Sequence, residues 1–357
     1  MADALTVQDA PNLEETYIRM KRKLSGVVPD FEIEMKAELA HKINKLKREL
    51  NAVILGHNYM EPALFHCVPD YTGDSLELSR ISAKTDADII VFCGVQFMAE
   101  TAKVLSPEKT VLIPSQRAGC TLAAGISVDH VLALRKRYPG APVVSYVNTY
   151  AEVKAESDYC CTSGNAQAVV RHLLNEGHTR IIFLPDEYLA RNTAKDLGLP
   201  CVVESPSNTE ALDKGFDRVV IGWQVRCEVH EKFTVHDVDS IRRQFPDAAI
   251  LAHPECSPEV VAACNFSGST KQMIDYVAKT SAPHYALLTE CSMGDNIAAE
   301  NPDKEMLRLC SIRCPHMNQI TLEDTLEALE KIQYKIELPD DIIKRASLPI
   351  DRMLSIR

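Results

Sequence analysis

Three segments of this chain share one design, an apolar run that stops on polar side chains. They are NAVILGHNY (51–59), APVVSYVNT (141–149) and AAILAHPEC (248–256). Unbroken aliphatic and β-branched runs suit strands covered on both faces, as in a parallel sheet flanked by helices. Each run then presents polar groups: His57 and Tyr59, Tyr146 and Asn148, His253 and Glu255.

The segment after each run repeats as well. TGDSLELSR, CCTSGNAQAVV and FSGSTKQMIDYV place a small hydroxyl residue before a helical pattern. His57 to Ser75, Tyr146 to Ser163 and His253 to Ser269 are offsets of 18, 17 and 16 residues. A hydroxyl there predicts an N-cap, and a helix N-terminus can also hold an anion. A second strand comes next in DADIIVFCG, HTRIIFLPD and PHYALLTEC, at offsets of 35, 37 and 35 from the same three residues. Each unit closes on a cysteine segment: VLIPSQRAGCTL, VVIGWQVRCEVH and LRLCSIRCPHM. Cys120, Cys227 and Cys314 therefore occupy corresponding places.

The expected fold is α/β: three pseudo-symmetric repeats of a small parallel-sheet unit, strand–helix–strand–helix–strand, around a common central site. The expected divisions are an N-terminal extension with an amphipathic helix (1–47), repeats at 48–138, 139–245 and 246–330, and a C-terminal helical return (331–357). Residues 1–30 read as loosely ordered. From 31 to 50, Leu39, Ile43, Leu46 and Leu50 recur at helical spacing. Residues 322–336 predict another helix, and the last segment a helix broken at Pro349.

Composition narrows the function. The first thirty residues lack an apolar targeting core, and no apolar stretch approaches the roughly 18 residues of a membrane span. That predicts a cytoplasmic protein. A formal charge of -11 argues against a nucleic-acid partner, though it leaves room for a basic pocket. Twelve cysteines without a secretion signal point to a reducing compartment, where thiols serve metals or catalysis. Cys67, Cys93, Cys160, Cys161, Cys201 and Cys264 stand in apolar company and are assigned to the core. Three thiols so far apart in sequence do not match a local zinc finger. A three-Cys zinc site would want a fourth ligand, for which His230 in CEVH is available. An iron–sulfur cluster on three thiolates would keep one open, Lewis-acidic iron. The pattern alone does not choose between iron and zinc.

The ordered motifs resemble those of the quinolinate synthase family, the iron–sulfur enzymes of bacterial-type NAD biosynthesis. They are HNY (57–59), GDSLE (73–77), GVQFMAETAKVLSPEKTVLIP (94–114), YVNT (146–149), TS (162–163), FLPDEYLARNTAK (183–195), HPE (253–255), GST (268–270), CPHM (314–317) and LPIDRML (348–354). The resemblance runs from about residue 45 to the end. It implies three similar α/β domains in a triangular molecule with the site at their junction. It also implies condensation of iminoaspartate with dihydroxyacetone phosphate to quinolinate, phosphate and two waters. Cys120, Cys227 and Cys314 would hold a 4Fe–4S cluster with one open iron. Substrate contacts would come from His57, Tyr59, Ser75, Tyr146, Asn148, Ser163, His253, Glu255, Ser269 and Thr270. Tyr59, His57, His253 and Glu255 would share the acid–base work. L-aspartate oxidase or aspartate dehydrogenase would supply iminoaspartate. Some relatives carry C-x-x-C-x-x-C before the proline. Here three residues separate Cys310 from Cys314, so Cys310 reads as a buried or spare thiol. A ring of strand-end hydroxyls, histidines and an asparagine also favours an enzyme over an electron carrier, which needs no such pocket.

Overall fold

The computed structural model describes residues 6–307 and 312–356; Cys310 lies outside them. The three apolar runs form strands, and every sheet is parallel. The first sheet contains β1 (Ala52–His57), β2 (Tyr71–Gly73), β3 (Ile89–Cys93) and β4 (Thr110–Leu112), in the order β2-β1-β3-β4. The second contains β5 (Val143–Tyr146), β6 (Tyr159–Cys161), β7 (Arg180–Leu184), β8 (Cys201–Glu204) and β9 (Val219–Trp223), in the order β6-β5-β7-β9-β8. The third has four strands: β10 (Ala248–Ala252), β11 (Phe266–Ser267), β12 (His284–Leu288) and β13 (Glu305–Leu307).

The repeat is visible in the pairing. The first strand of each set carries a short parallel neighbour: β1 with β2, β5 with β6, β10 with β11. The later strand of each set carries the strand that leads to the cysteine: β3 with β4, β7 with β9, β12 with β13. The sequence pattern predicts three strands per repeat. The short strands β2, β6 and β11 escape it because two or three residues carry no periodicity. β8 is an addition of the middle sheet.

Two compact units can be drawn. One comprises residues through Gly119 together with Ile274–Glu337; the other comprises Cys120–Met273 and the segment from Leu338 on. In the first unit, residues expected to be loosely ordered form the helix Leu13–Leu24. Asn12 caps it by accepting from Glu15 N–H, and Met20 and Leu24 are fully buried. The helix Asp30–Glu49 forms as expected, but its buried stripe is Ile33, Ala37, Ala40 and Ile43, ending on Lys47. Of the four apolar residues expected to face inward, only Ile43 is fully covered. Lys47, 3% exposed, donates to Val68 O at 2.7 Å and pairs with Asp70 at 2.8 Å. Residues 334–336 run antiparallel to the edge of β4, bridging Leu112 and Lys335 and so covering that edge.

In the second unit, the core gathers Leu134 and Tyr138, Val143 of β5, Ile182 and Leu184 of β7, and Val219, Ile221 and Trp223 of β9. The last helix, Asp340–Ser355, runs through Pro349 rather than breaking there. Ala346, Pro349, Ile350 and Met353 are all buried on one face, so packing outweighs the lost backbone bond. Arg352 fixes its far end, donating to Asp158 O at 2.7 Å and lying 4.9 Å over the Tyr159 ring.

Candidate active site and metal-ligating cysteines

In the second unit, the site is built at strand ends. β5 ends on Tyr146, and β10 runs into His253 and Glu255. Glu255 is 3% exposed. Its Oε1 accepts the Tyr146 hydroxyl at 2.6 Å, and its Oε2 meets His230 Nδ1 at 2.8 Å. His230 stacks on His253 with centroids 4.6 Å apart. His253 Nε2 lies 3.2 Å from Ser163 Oγ. Burial alone would push the Glu255 carboxyl up. The charges of His253 and His230 and the bonds from His230 and Tyr146 more than reverse that, and hold it well below the usual carboxylate range. Glu255 is thus an anion in a dry setting, with a phenol and two imidazoles against it.

Cys227 stands beside this group, 3.3 Å from His230 Nδ1. Burial, then the charges of Glu255 and Cys120, push its thiol up, while N–H groups of His230 and Val229 pull it down. Peptide N–H groups aimed at sulfur are the surroundings of a ligating thiolate. Three contacts fix the Cys120 segment against the Cys227 segment. Thr121 Oγ1 reaches Glu228 Oε1 at 3.3 Å, Trp223 Nε1 donates to Gly125 O at 3.1 Å, and Val225 packs onto Gly125, where a Cβ would lie 2.6 Å from its Cγ1. Asp186, fully buried, accepts from Leu189 N–H at 2.6 Å and bridges to Val225, binding the same segment to the helix Glu187–Asp196. Burial first, then the charge of Glu255, raises its carboxyl well above normal.

In the first unit, His57 ends β1 and Tyr59 lies two residues on. Tyr59 N–H points at His57 Nδ1 at 3.2 Å, and Met60 N–H donates to His57 O at 3.0 Å. The same two bonds occur at His253, from Glu255 N–H at 3.3 Å and Cys256 N–H at 2.9 Å. The repeat thus reaches the hydrogen bonds of single residues. The Tyr59 hydroxyl meets Thr289 Oγ1 at 2.6 Å, just beyond β12. Cys314 Sγ accepts the N–H of Met317 at 3.5 Å.

The hydroxyls predicted as caps divide. Asp74 caps the helix Ser75–Ser82, accepting from Leu76 and Glu77 N–H, so Ser75 is its first residue. Ser163 lies three residues before the helix Ala166–Asn175 and faces His253 instead. Ser269 does cap: its Oγ accepts from Gln272 N–H, and Gln272 Oε1 accepts from Ser269 N–H. Thr270 begins that helix and is 4% exposed. Asn148 Oδ1 is buried without a hydrogen-bond partner among the described residues, so a ligand's N–H or O–H would satisfy it.

Bonds and ring contacts thus join Tyr146, Ser163, His230, His253 and Glu255 in one group, and His57, Tyr59 and Thr289 in another. In sequence His230 stands out only as a spare zinc ligand; its spacing, three residues after Cys227, is the available signal. Asp74, Asp186 and Thr289 give no such signal, because their role depends on the neighbours that folding brings to them. Of the cysteines assigned to the core, Cys67, Cys93, Cys160 and Cys161 are fully buried. Cys201 and Cys264 are partly exposed, because each lies at the boundary of an element.

Parallel α/β sheets with a buried carboxylate, phenol and imidazoles beside thiols at the strand ends define an α/β enzyme. A family profile described as "NadA: Quinolinate synthetase A protein" matches residues 41–355. The chain is 48% identical over 346 residues to "Quinolinate synthase 2" of Mesorhizobium japonicum, covering 97% of this chain and 98% of that protein. It is 46% identical to "Quinolinate synthase" of Agrobacterium fabrum, covering 98% and 94%, and 49% identical to that of Xylella fastidiosa, covering 88% and 86%. The chain belongs to the quinolinate synthetase A family.

Proposed function

We propose that this enzyme condenses iminoaspartate with dihydroxyacetone phosphate, giving quinolinate, phosphate and two waters. The observation that carries the reading is Glu255: a buried anion bonded to the Tyr146 phenol and His230, with Cys227 beside it. Cys120, Cys227 and Cys314 hold a 4Fe–4S cluster in this reading. The peptide N–H groups on the sulfurs of Cys227 and Cys314 fit such ligands. When bound, the cluster supplies an open, Lewis-acidic iron.

The protein's own residues do the rest. Glu255 and His253 take and return protons at one strand end, and Tyr59 and His57 do so at another. Their division of labour reflects their settings. Glu255, held ionised, is a weak base that chiefly orients and charge-balances the imidazoles and the Tyr146 phenol against it. His253 and His57 are imidazoles suited to proton transfer near neutral pH, and Tyr59 carries a phenolic proton it can donate. Ser75, Ser163, Ser269 and Thr270 stand at or just before helix N-termini, where hydroxyls and peptide N–H groups suit carboxylate and phosphate. Tyr146 orients Glu255, and Asn148 offers its unsatisfied carbonyl to a substrate N–H or O–H. The repeat domains 48–138, 139–245 and 246–330 belong to the same proposal, as does supply of iminoaspartate by L-aspartate oxidase or aspartate dehydrogenase in the cytoplasm. No described helix is long and apolar enough to cross a membrane.

Anaerobic purification with iron and sulfide analysis, then a quinolinate assay on the two substrates, tests this reading. Four irons per chain with quinolinate formation is the expected result. A fully loaded protein that makes no quinolinate would overturn it.

A further inference from the structure

We propose that Cys227, His230 and Glu255 form a single-ion site for a zinc-class divalent cation, filled when the chain carries no cluster. This site shares Cys227 with the proposed cluster ligands but does not rest on the substrates proposed above.

The geometry is already close. One donor atom from each residue lies within 4.8 Å of the others. His230 Nδ1 is 3.3 Å from Cys227 Sγ and 2.8 Å from Glu255 Oε2. Zinc binds nitrogen and oxygen at about 2.0–2.2 Å and sulfur at about 2.3 Å, which sets neighbouring donors of a tetrahedron roughly 3.3–3.8 Å apart. The nitrogen–sulfur edge therefore needs little adjustment. The nitrogen–oxygen edge, now a hydrogen bond, opens by less than about 1 Å once an ion replaces the proton between them. One thiolate, one imidazole and one carboxylate make a donor set for a borderline cation, with a fourth position left for water.

The donors are also held in place. Cys227 and His230 are one turn apart, and the bond from Glu231 N–H to Cys227 O at 3.0 Å closes that turn. The 3-10 helix His230–Lys232 continues it. Tyr146 holds the other oxygen of Glu255, and His253 covers the face of His230. Partners of this kind orient ligands and tune affinity. His230 and Glu255 are 2% and 3% exposed. A dication offsets the charge of two anionic donors in so dry a place. The consequence is competition. An ion on this trio withholds Cys227 from cluster assembly and Glu255 from proton transfer, so a zinc-loaded chain resists reconstitution.

The test uses the full-length chain isolated without iron, titrated anaerobically with Co2+ as a spectroscopic stand-in and with Zn2+ by calorimetry. One ion per chain is expected, with a thiolate-to-cobalt band of one-thiolate intensity. Cys227→Ser should remove the band. His230→Ala and Glu255→Gln should each weaken Zn2+ roughly tenfold or more. His230→Cys, which restores a donor, should keep tight binding with a stronger band, and Cys314→Ser should bind as the parent does. A three-thiolate band in the parent, which needs no variant to fold, would place the ion on the cluster cysteines and overturn the proposal. So would Zn2+ binding lost in Cys314→Ser or unchanged in His230→Ala. Iron and sulfide analysis of a separate reconstituted sample reports on the cluster reading alone.

Discussion

A Cβ on Gly125 would lie 2.6 Å from Cγ1 of Val225 and 2.7 Å from its Cγ2, well inside contact distance. Gly125→Ala should therefore push back the segment that leads to Cys227. Overpacking of this kind costs about 1–3 kcal/mol, and iron retained after anaerobic reconstitution should fall with it. Val225→Ala in the same chain removes both methyls and should restore the iron; if it does not, the two segments are not coupled through this contact. The proposed ligands make a sharper prediction. Serine at Cys120, Cys227 or Cys314 should abolish iron and visible absorption, while Cys310→Ser should keep both. A third test separates chemistry from scaffolding. A hydrogen bond to a charged group is worth about 1.5–3 kcal/mol, so Tyr146→Phe should slow quinolinate formation roughly tenfold to a hundredfold with iron content unchanged. Loss of iron along with activity would make Tyr146 structural.

Helix ends show what local reading captures. Ser269, expected from the sequence as an N-cap, is one, and the structure adds the reciprocal bond to Gln272 that completes a capping box. At the corresponding helix of the first sheet, the residue one place earlier, Asp74, takes that role. Asp74→Ala should cost about 0.5–2 kcal/mol in thermal or denaturant unfolding, whereas Ser75→Ala should leave stability nearly unchanged. Equal losses in both would return the cap to Ser75. The helices Leu13–Leu24 and Cys291–Glu300 are tied by Lys23 and Glu300 at 2.6 Å. The bond from His66 and the charge of Lys23 hold Glu300 down to about 2, against its burial. His66 is itself held below its usual value by burial, so near neutral pH it is an uncharged donor and Lys23 the counter-charge. A depressed carboxyl stabilises the folded chain above its unfolded value, about 4.3, and that contribution is lost as pH falls toward 2. Lys23→Met should lower the melting temperature slightly at pH 7, by the equivalent of up to about 1 kcal/mol for so exposed a pair, and the difference should close near pH 2.

At the scale of the whole chain, each compact unit is assembled from two separated stretches, so each closes only when distant segments return. The last segment completes the second unit, where Ile350 and Met353 are fully buried. Burying such side chains is worth about 1.5–3 kcal/mol each. A chain ending before Leu338 should therefore lose several kcal/mol and melt at markedly lower temperature, although it keeps all three proposed cluster cysteines. The three apolar runs, their second strands and the polar strand ends were all legible in the sequence. Periodicity and burial are written locally, and a repeated unit writes them three times. The family, too, was legible in the order of its motifs. What the sequence could not supply was any relation set by packing. His230 reaches Glu255 across 25 positions of chain. Asp74 replaces Ser75 as a cap, and Pro349 stays inside a helix because its buried face outweighs a missing N–H. These outcomes depend on which atoms meet after the chain has closed, and contact distance and desolvation, rather than the order of residues, decide them.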